Sequence, residues 1–171
     1  MSEEKIEKVE TVEAQAVGEI AENLIAKKFK IQALGNNASG FEMIGVDAND
    51  LVAISKDLVR SKKMTLLNFL TAVEVKSGYQ AIYQLEETET GKAVSLKVTV
   101  AKENPTIPTL TEIFPTANWL EREAYDMLGI KFAGHPNLTR ILNPEQWEGY
   151  PLRRDYIGPC DELNRPISLN R

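Results

Sequence analysis

Apolar positions recur at helical spacing near the start of the chain. Val12, Ala16, Ile20 and Leu24, with Val17 and Ile25 beside them, predict a first helix from Thr11 onward with one buried face. The Gly- and Asn-rich stretch "LGNNASG" reads as a loop, and Phe41 to Val46 as a short apolar strand. Asp47 stands where an N-cap is expected, ahead of a second helix whose stripe is Leu51, Ile54, Leu58 and Val59. Thr65 to Val75 is aliphatic and β-branched on both faces, which predicts a strand covered on both sides. Tyr79, Ala81, Tyr83 and Leu85 alternate with mainly polar neighbours, "EETETG" turns, and Val94, Leu96, Val98 and Val100 alternate again, the pattern of a β-hairpin with one buried face. Together these elements predict an α+β domain over residues 11–101: two layers, with helices covering one face of a mostly antiparallel four-stranded sheet. The charged, aperiodic residues 1–10 are expected to be a disordered tail.

The pattern changes after Val100. All eight prolines and both tryptophans lie beyond it, and five prolines fall in the last 42 residues. Proline removes a backbone donor and fixes φ, so this part is not expected to extend the sheet. Residues 102–129 read as a Pro-containing linker followed by a charged helix, "NWLEREAYDMLG". Asn118 is placed as its N-cap, Glu121 completes a capping-box spacing, and Gly129 suits a left-handed C-terminal stop. Leu120, Ala124, Met127 and Leu128 share one face; Trp119, Arg122, Glu123 and Asp126 share another. Residues 130–171 keep apolar anchors without periodicity (Ile130, Phe132, Leu138, Ile141, Leu142, Trp147, Tyr150, Leu152, Tyr156), which predicts an extended segment lying partly on its own domain and partly on a partner.

Charge sharpens this picture. Asp126 sits in the last helical turn, where the helix dipole disfavours an anion, and its i−4 neighbour Arg122 is the weaker ordering of an ion pair. A cation from the tail is therefore expected at Asp126 or Glu123, with Arg140, Arg153 and Arg154 as candidates. A net charge of −5 supplies no basic field for nucleic acid. The longest apolar run is too short for a membrane span, and the acidic start lacks a secretory pattern. The lone Cys160 cannot build a CxxC zinc site, a four-cysteine cluster or an internal disulfide, and reads as incidental. Glu123, Asp126 and His135 form an incomplete carboxylate and imidazole set that keeps a metal hydrolase as a minor alternative. Glycine-rich phosphate loops, GxSxG elbows and HExxH helices are missing from the sequence.

"EREAYDMLGIKFAGHPNLTRIL" followed by "WEGYPLRRDY" resembles the C subunit of NADH:quinone oxidoreductase, respiratory complex I, called the J subunit in its chloroplast and cyanobacterial form. "LLNFLTAVE" and "NPTIPTLTEIFPTANWLEREAYDMLGI" fit the same family, so the resemblance covers roughly residues 40–157. It implies a non-catalytic peripheral-arm subunit with no cofactor or metal of its own. The expected partners are the quinone-site large subunit and the iron-sulfur subunits, which hold the clusters and the quinone. Membrane contact is expected to be indirect, on the cytoplasmic face (matrix or stroma if organellar). The family's signature positions correspond here to Glu121, Arg122, Glu123, Asp126, His135, Leu152, Arg153, Asp155 and Tyr156; Arg140, Trp147 and Arg154 join them as expected interface or structural ties. The equivalent subunit of a membrane-bound [NiFe] hydrogenase-type complex is the second reading.

Overall fold

The computed structural model describes residues 18–158. Within it a five-stranded sheet carries helices on one face. Helix α1 (Glu19–Ala26) buries Ala21 and Leu24. Its first turn is closed by a neighbouring strand: the Ile20 amide donates to both carboxylate oxygens of Glu42, at 3.2 and 3.1 Å. Of the first helix's predicted stripe, Val12, Ala16 and Val17 lie outside the described residues, as do residues 1–10 and Cys160.

Strands β1 (Ile31–Asn36) and β2 (Glu42–Val46) form a hairpin. The Asn37 carboxamide oxygen shapes its turn by accepting from the Ser39 and Phe41 amides, both at 2.9 Å. β1 is the strand that the four-strand expectation lacks, because "IQALGN" has neither a clean alternation nor β-branched density. Helix α2 (Leu51–Lys62) buries Leu51, Ile54 and Leu58 against the sheet. Its N-cap position is Asp50; Asp47 instead closes a local turn, accepting from the Asn49 amide and side chain. The crossover returns through β3 (Leu66–Val75), β4 (Gly78–Glu86) and β5 (Ala93–Val100), giving the sheet the order β1-β2-β5-β4-β3, in which β2 and β5 run parallel while its other pairs are antiparallel.

β3 departs from expectation. It is an edge strand whose outer face stays open, with Leu66, Phe69 and Val73 exposed and only Leu67 and Leu70 buried beneath the helices. The helix-side core joins Tyr79, Ala81, Tyr83 and Leu85 of β4 to Val94, Leu96 and Val98 of β5.

The proline-rich part adds a second, smaller layer. β6 (Thr106–Pro108) and β7 (Lys131–Ala133) pair in parallel, with α3 (Ala117–Leu128) as the crossover. Ile107, Leu110, Phe114, Ala117, Ala124, Leu128, Ile130 and Phe132 extend the core. The tail placed at 130–171 therefore starts too early: Ile130 and Phe132 are fully interior, and exposed chain begins after β7. Gly129 does end α3 in the left-handed region, at φ 75°. The start differs from the predicted cap. Thr116 holds the N-cap position, Asn118 lies within the first turn, and Glu121 points away from the helix's own amides.

Candidate functional site

Helix α3 presents two buried carboxylates on different sides. Asp126 faces the segment that follows β7 and is completely enclosed by it. One of its oxygens, Oδ2, accepts from three successive backbone amides, Ile141 at 3.1 Å, Leu142 at 2.8 Å and Asn143 at 2.9 Å. Successive amides in a turn make an anion cradle. Its Oδ1 accepts from Arg140 Nη1 at 2.7 Å and from Asn143 Nδ2 at 2.9 Å. Burial alone raises this carboxyl's pKa, but the Asn143 amide, the Arg140 guanidinium, the Asn143 side chain and the Leu142 amide outweigh it and hold Asp126 well below the usual carboxylate range.

The same arginine spans the junction. Arg140 also donates to the Asp126 carbonyl at 3.1 Å and the Gly149 carbonyl at 2.9 Å, and stacks on Tyr150 with its guanidinium carbon 5.1 Å from the ring centre. Arg122, one turn back on α3, donates to the Thr139 carbonyl (3.0 Å), the Thr139 hydroxyl (2.9 Å) and the Arg140 carbonyl (3.2 Å), while lying over Trp119. A third arginine serves the helix end. Arg153 Nε donates to the Leu128 carbonyl at 2.7 Å and the Leu152 amide to the Met127 carbonyl at 3.0 Å, so two orphan carbonyls of α3 find partners in the strap. Its guanidinium sits between Tyr150 (4.3 Å) and Tyr79 (5.2 Å). A Cβ at position 129 would stand 2.4 Å from Arg153 and 2.6 Å from Tyr150, so the glycine is required by this closure as well as by its φ. Beyond it the Arg154 amide donates to Glu74 at 2.7 Å, where Lys102 also binds.

Glu121 faces the other way, into the β6–α3 loop. Its Oε1 accepts from the Leu110 amide at 2.8 Å and its Oε2 lies 2.5 Å from the Thr109 hydroxyl. Burial dominates over these two bonds and pushes its pKa up to about 7.

Several residues singled out from sequence thus meet: Arg122, Asp126, Arg140, Leu152 and Arg153 lock one strap, residues 134–158, across α3. Others do not join them. Glu123 is exposed and unpaired among the described residues. His135 closes a local turn, with Nδ1 accepting from the Asn137 amide at 3.0 Å and Nε2 placed to donate to the Asn118 carbonyl at 3.2 Å. The carboxylate and imidazole set is therefore not assembled: both Asp126 oxygens and both His135 nitrogens are engaged, and the described residues hold no cluster of three His, Cys, Asp or Glu fit for a metal. Arg154 contributes its amide, Asp155 is exposed, Tyr156 is half-buried over Gly149, and Trp147 Nε1 is buried without a partner among the described residues. Sequence reading missed Asn143, Thr139 and Glu74. Of these only Asn143, three residues after Arg140 and just before Pro144, carried a turn signal.

Fold and junction define a class: an α+β module whose C-terminal strap is buckled across its last helix by charge-assisted bonds. Residues 44–162 match the respiratory-chain NADH dehydrogenase, 30 Kd subunit, and the chain belongs to that family. It is 33% identical over 166 residues to the C/D subunit of the NADH-quinone oxidoreductase of Pectobacterium atrosepticum, covering 91% of this chain and 27% of that one. Over 76 residues it is 53% identical to the C subunit of the Salinispora arenicola enzyme, covering 44% and 31%. The chain thus spans about a quarter to a third of the length of these relatives. Among solved structures, the trypsin-resistant fragment (1–134) of Nqo5 superposes with TM-score 0.57 at 25% identity, over 70% of this chain and 96% of the fragment. A chain of the membrane-bound sulfane sulfur reductase, an archaeal respiratory membrane complex, superposes with TM-score 0.69 at 25% identity over 85% of each.

Proposed function

We propose that this chain is a peripheral-arm subunit of a proton-pumping NADH (or ferredoxin):quinone oxidoreductase, and that its part in that complex is structural. The chain supports the quinone-site large subunit and the iron-sulfur subunits, which hold the clusters and quinone, and carries no catalytic centre or cofactor itself. One observation carries the reading within this family. The two buried carboxylates of α3 are spent on internal ties, Asp126 on the strap and Glu121 on the β6–α3 loop, while the strap and helix leave Trp119, Leu142, Leu152 and Ile157 between 58% and 71% exposed. Large apolar and aromatic side chains fixed on a rigid body suit a contact between subunits. No helix among the described residues is long and apolar enough to cross a membrane; in this proposal the chain attaches through partner subunits, on the cytoplasmic face.

The likeness to a chain of the membrane-bound sulfane sulfur reductase supports a second reading, the equivalent subunit of another respiratory membrane complex, and the [NiFe] hydrogenase-type assembly is the form of it that we put to the test. Affinity purification of the tagged chain from solubilised membranes, with mass spectrometry of what accompanies it, tests both. A quinone-type large subunit supports the first reading and a hydrogenase-type one the second. Recovery of the chain alone, or a stoichiometric metal or flavin in the isolated protein, contradicts the structural role.

A further inference from the structure

The two edges of the main sheet differ. β1 is six residues long and interrupted by an irregularity between Ala33 and Asn36. β3 is ten residues long, and after its own irregularity between Leu67 and Phe69 it pairs without interruption with β4 to Val75. At the start of β3 the Thr116 hydroxyl donates to the Leu67 carbonyl at 3.4 Å. At the far end Glu74 is held by Lys102 and the Arg154 amide. Between these ties, Phe69 to Val73 has β4 on one side and no strand on the other among the described residues. This window also lacks the lysines, prolines and inward charges that commonly protect a sheet edge.

Both layers beside the window are shaped for a guest. On the open face, Phe69 and Val73 are 38% and 43% exposed. On the helix face, a hollow of about 50 Å³ lies between Leu70 and Ala72 of the strand, Leu120 and Met127 of α3, and Leu152 of the strap. An added strand would send alternate side chains to these two sides.

We infer that the β3 edge at Phe69 to Val73 accepts an extended segment of a neighbouring subunit as a sixth strand, with a small apolar side chain seated in the hollow against Leu152. Unpaired amides and carbonyls in a row are satisfied in register only by another backbone, which selects a polypeptide. The hollow selects a small apolar residue at one position of about five, a stretch spanning about 17 Å. A second copy fits poorly, because Glu123 lines the hollow and symmetric pairing would set it against its own twin. Trp119, one turn before Glu123 on the same flank of α3, extends the apolar contact beyond the strand.

This inference rests on the proposed subunit role and deepens it. Amide hydrogen exchange, read by mass spectrometry on the full-length chain alone and in its purified complex, tests it directly. The outward amides of Phe69 to Val73 should exchange about ten-fold or more slowly in the complex. Thr71→Lys combined with Val73→Lys should reduce recovered partner about ten-fold while leaving the isolated chain's unfolding temperature unchanged, since both positions are exposed. A complex that forms with those amides still exchanging freely overturns the inference and spares the subunit role. Failure to recover any partner overturns the role itself, and the inference with it. Protection already present in the isolated chain also overturns it: loss on dilution would assign the edge to a second copy, and loss on deleting residues 159–171 to the chain's own end.

Discussion

Glu121 and Asp126 lie five residues apart on one helix, both wholly buried, yet their surroundings drive them in opposite directions. Asp126 has three amides, a guanidinium and a carboxamide pointed at it, and its charge is fixed. Glu121 has one amide and one hydroxyl, and its pKa rises to about 7. Both are closed off from solvent, but Glu121 lies deeper and has fewer donors, so desolvation outweighs its bonds, whereas the donors around Asp126 outweigh desolvation. One carboxylate therefore clamps the strap as a permanent anion, while the other closes the β6–α3 loop through the Leu110 amide and the Thr109 hydroxyl and holds its proton more tightly than an ordinary glutamate.

Removing the clamp breaks the contrast most severely. Asp126→Ala leaves Arg140 and three amides without their acceptor, and a buried pair broken on one side costs about 3–5 kcal/mol. Denaturant unfolding should register that loss, and limited trypsin digestion should cut earlier at Arg140, Arg153 and Arg154. Unchanged tail protection would show that the strap is held by something other than this carboxylate.

Glu121→Gln removes the charge and mimics the protonated acid, its carboxamide oxygen accepting from the Leu110 amide and its N–H donating to the Thr109 hydroxyl. The folded state raises this group's pKa from its ordinary 4.5 to about 7, so it holds a proton that the unfolded chain releases. Its contribution to stability falls as pH rises from about 4.5 through about 7. The variant should be more stable than the parent at pH 8, by about 1–3 kcal/mol, and equal to it near pH 4.5. Asp126 works in the opposite sense, its stabilisation being lost only as pH drops below its ordinary 3.8. A parent stability that does not decline between pH 5 and pH 8, relative to Glu121→Gln, would count against the buried acid.

Arg153→Ala removes the bond to Leu128 and the guanidinium between two tyrosine rings, at about 1–3 kcal/mol. Its effect should be confined to the strap end, with hydrogen exchange rising around Tyr150 to Arg154 and not around Ile141 to Asn143. Trp119→Ala is expected to change stability least, within about 0.5 kcal/mol, because the ring is 63% exposed. Recovery of partner subunits should nonetheless fall, and a stability loss without an assembly defect would reverse its assignment to the outer surface.

Periodicity alone located α2, α3 and the β4–β5 hairpin, since burial on one face leaves its imprint every 3.6 or two residues. The stop at Gly129 was equally legible, because a left-handed backbone strongly favours glycine. The misplaced Asp126 announced a missing cation by breaking a local rule, and Arg140 supplies it. Local rules failed where side chains had distant partners. Asp47 and Glu121 both look like cap residues, yet one closes its own turn and the other reaches Leu110. β3 looked doubly covered from composition, although strand order puts it at the edge.

The sequence by itself determined α2, α3, the β4–β5 hairpin and the place of each charged residue along α3, because those follow from neighbours within a few positions. Only the tertiary structure decided which carboxylate keeps its charge and which sheet edge stays open. The donors to Glu121 and Asp126 come from residues 11 to 17 positions away, and edge or centre is a property of strand order that no single strand encodes.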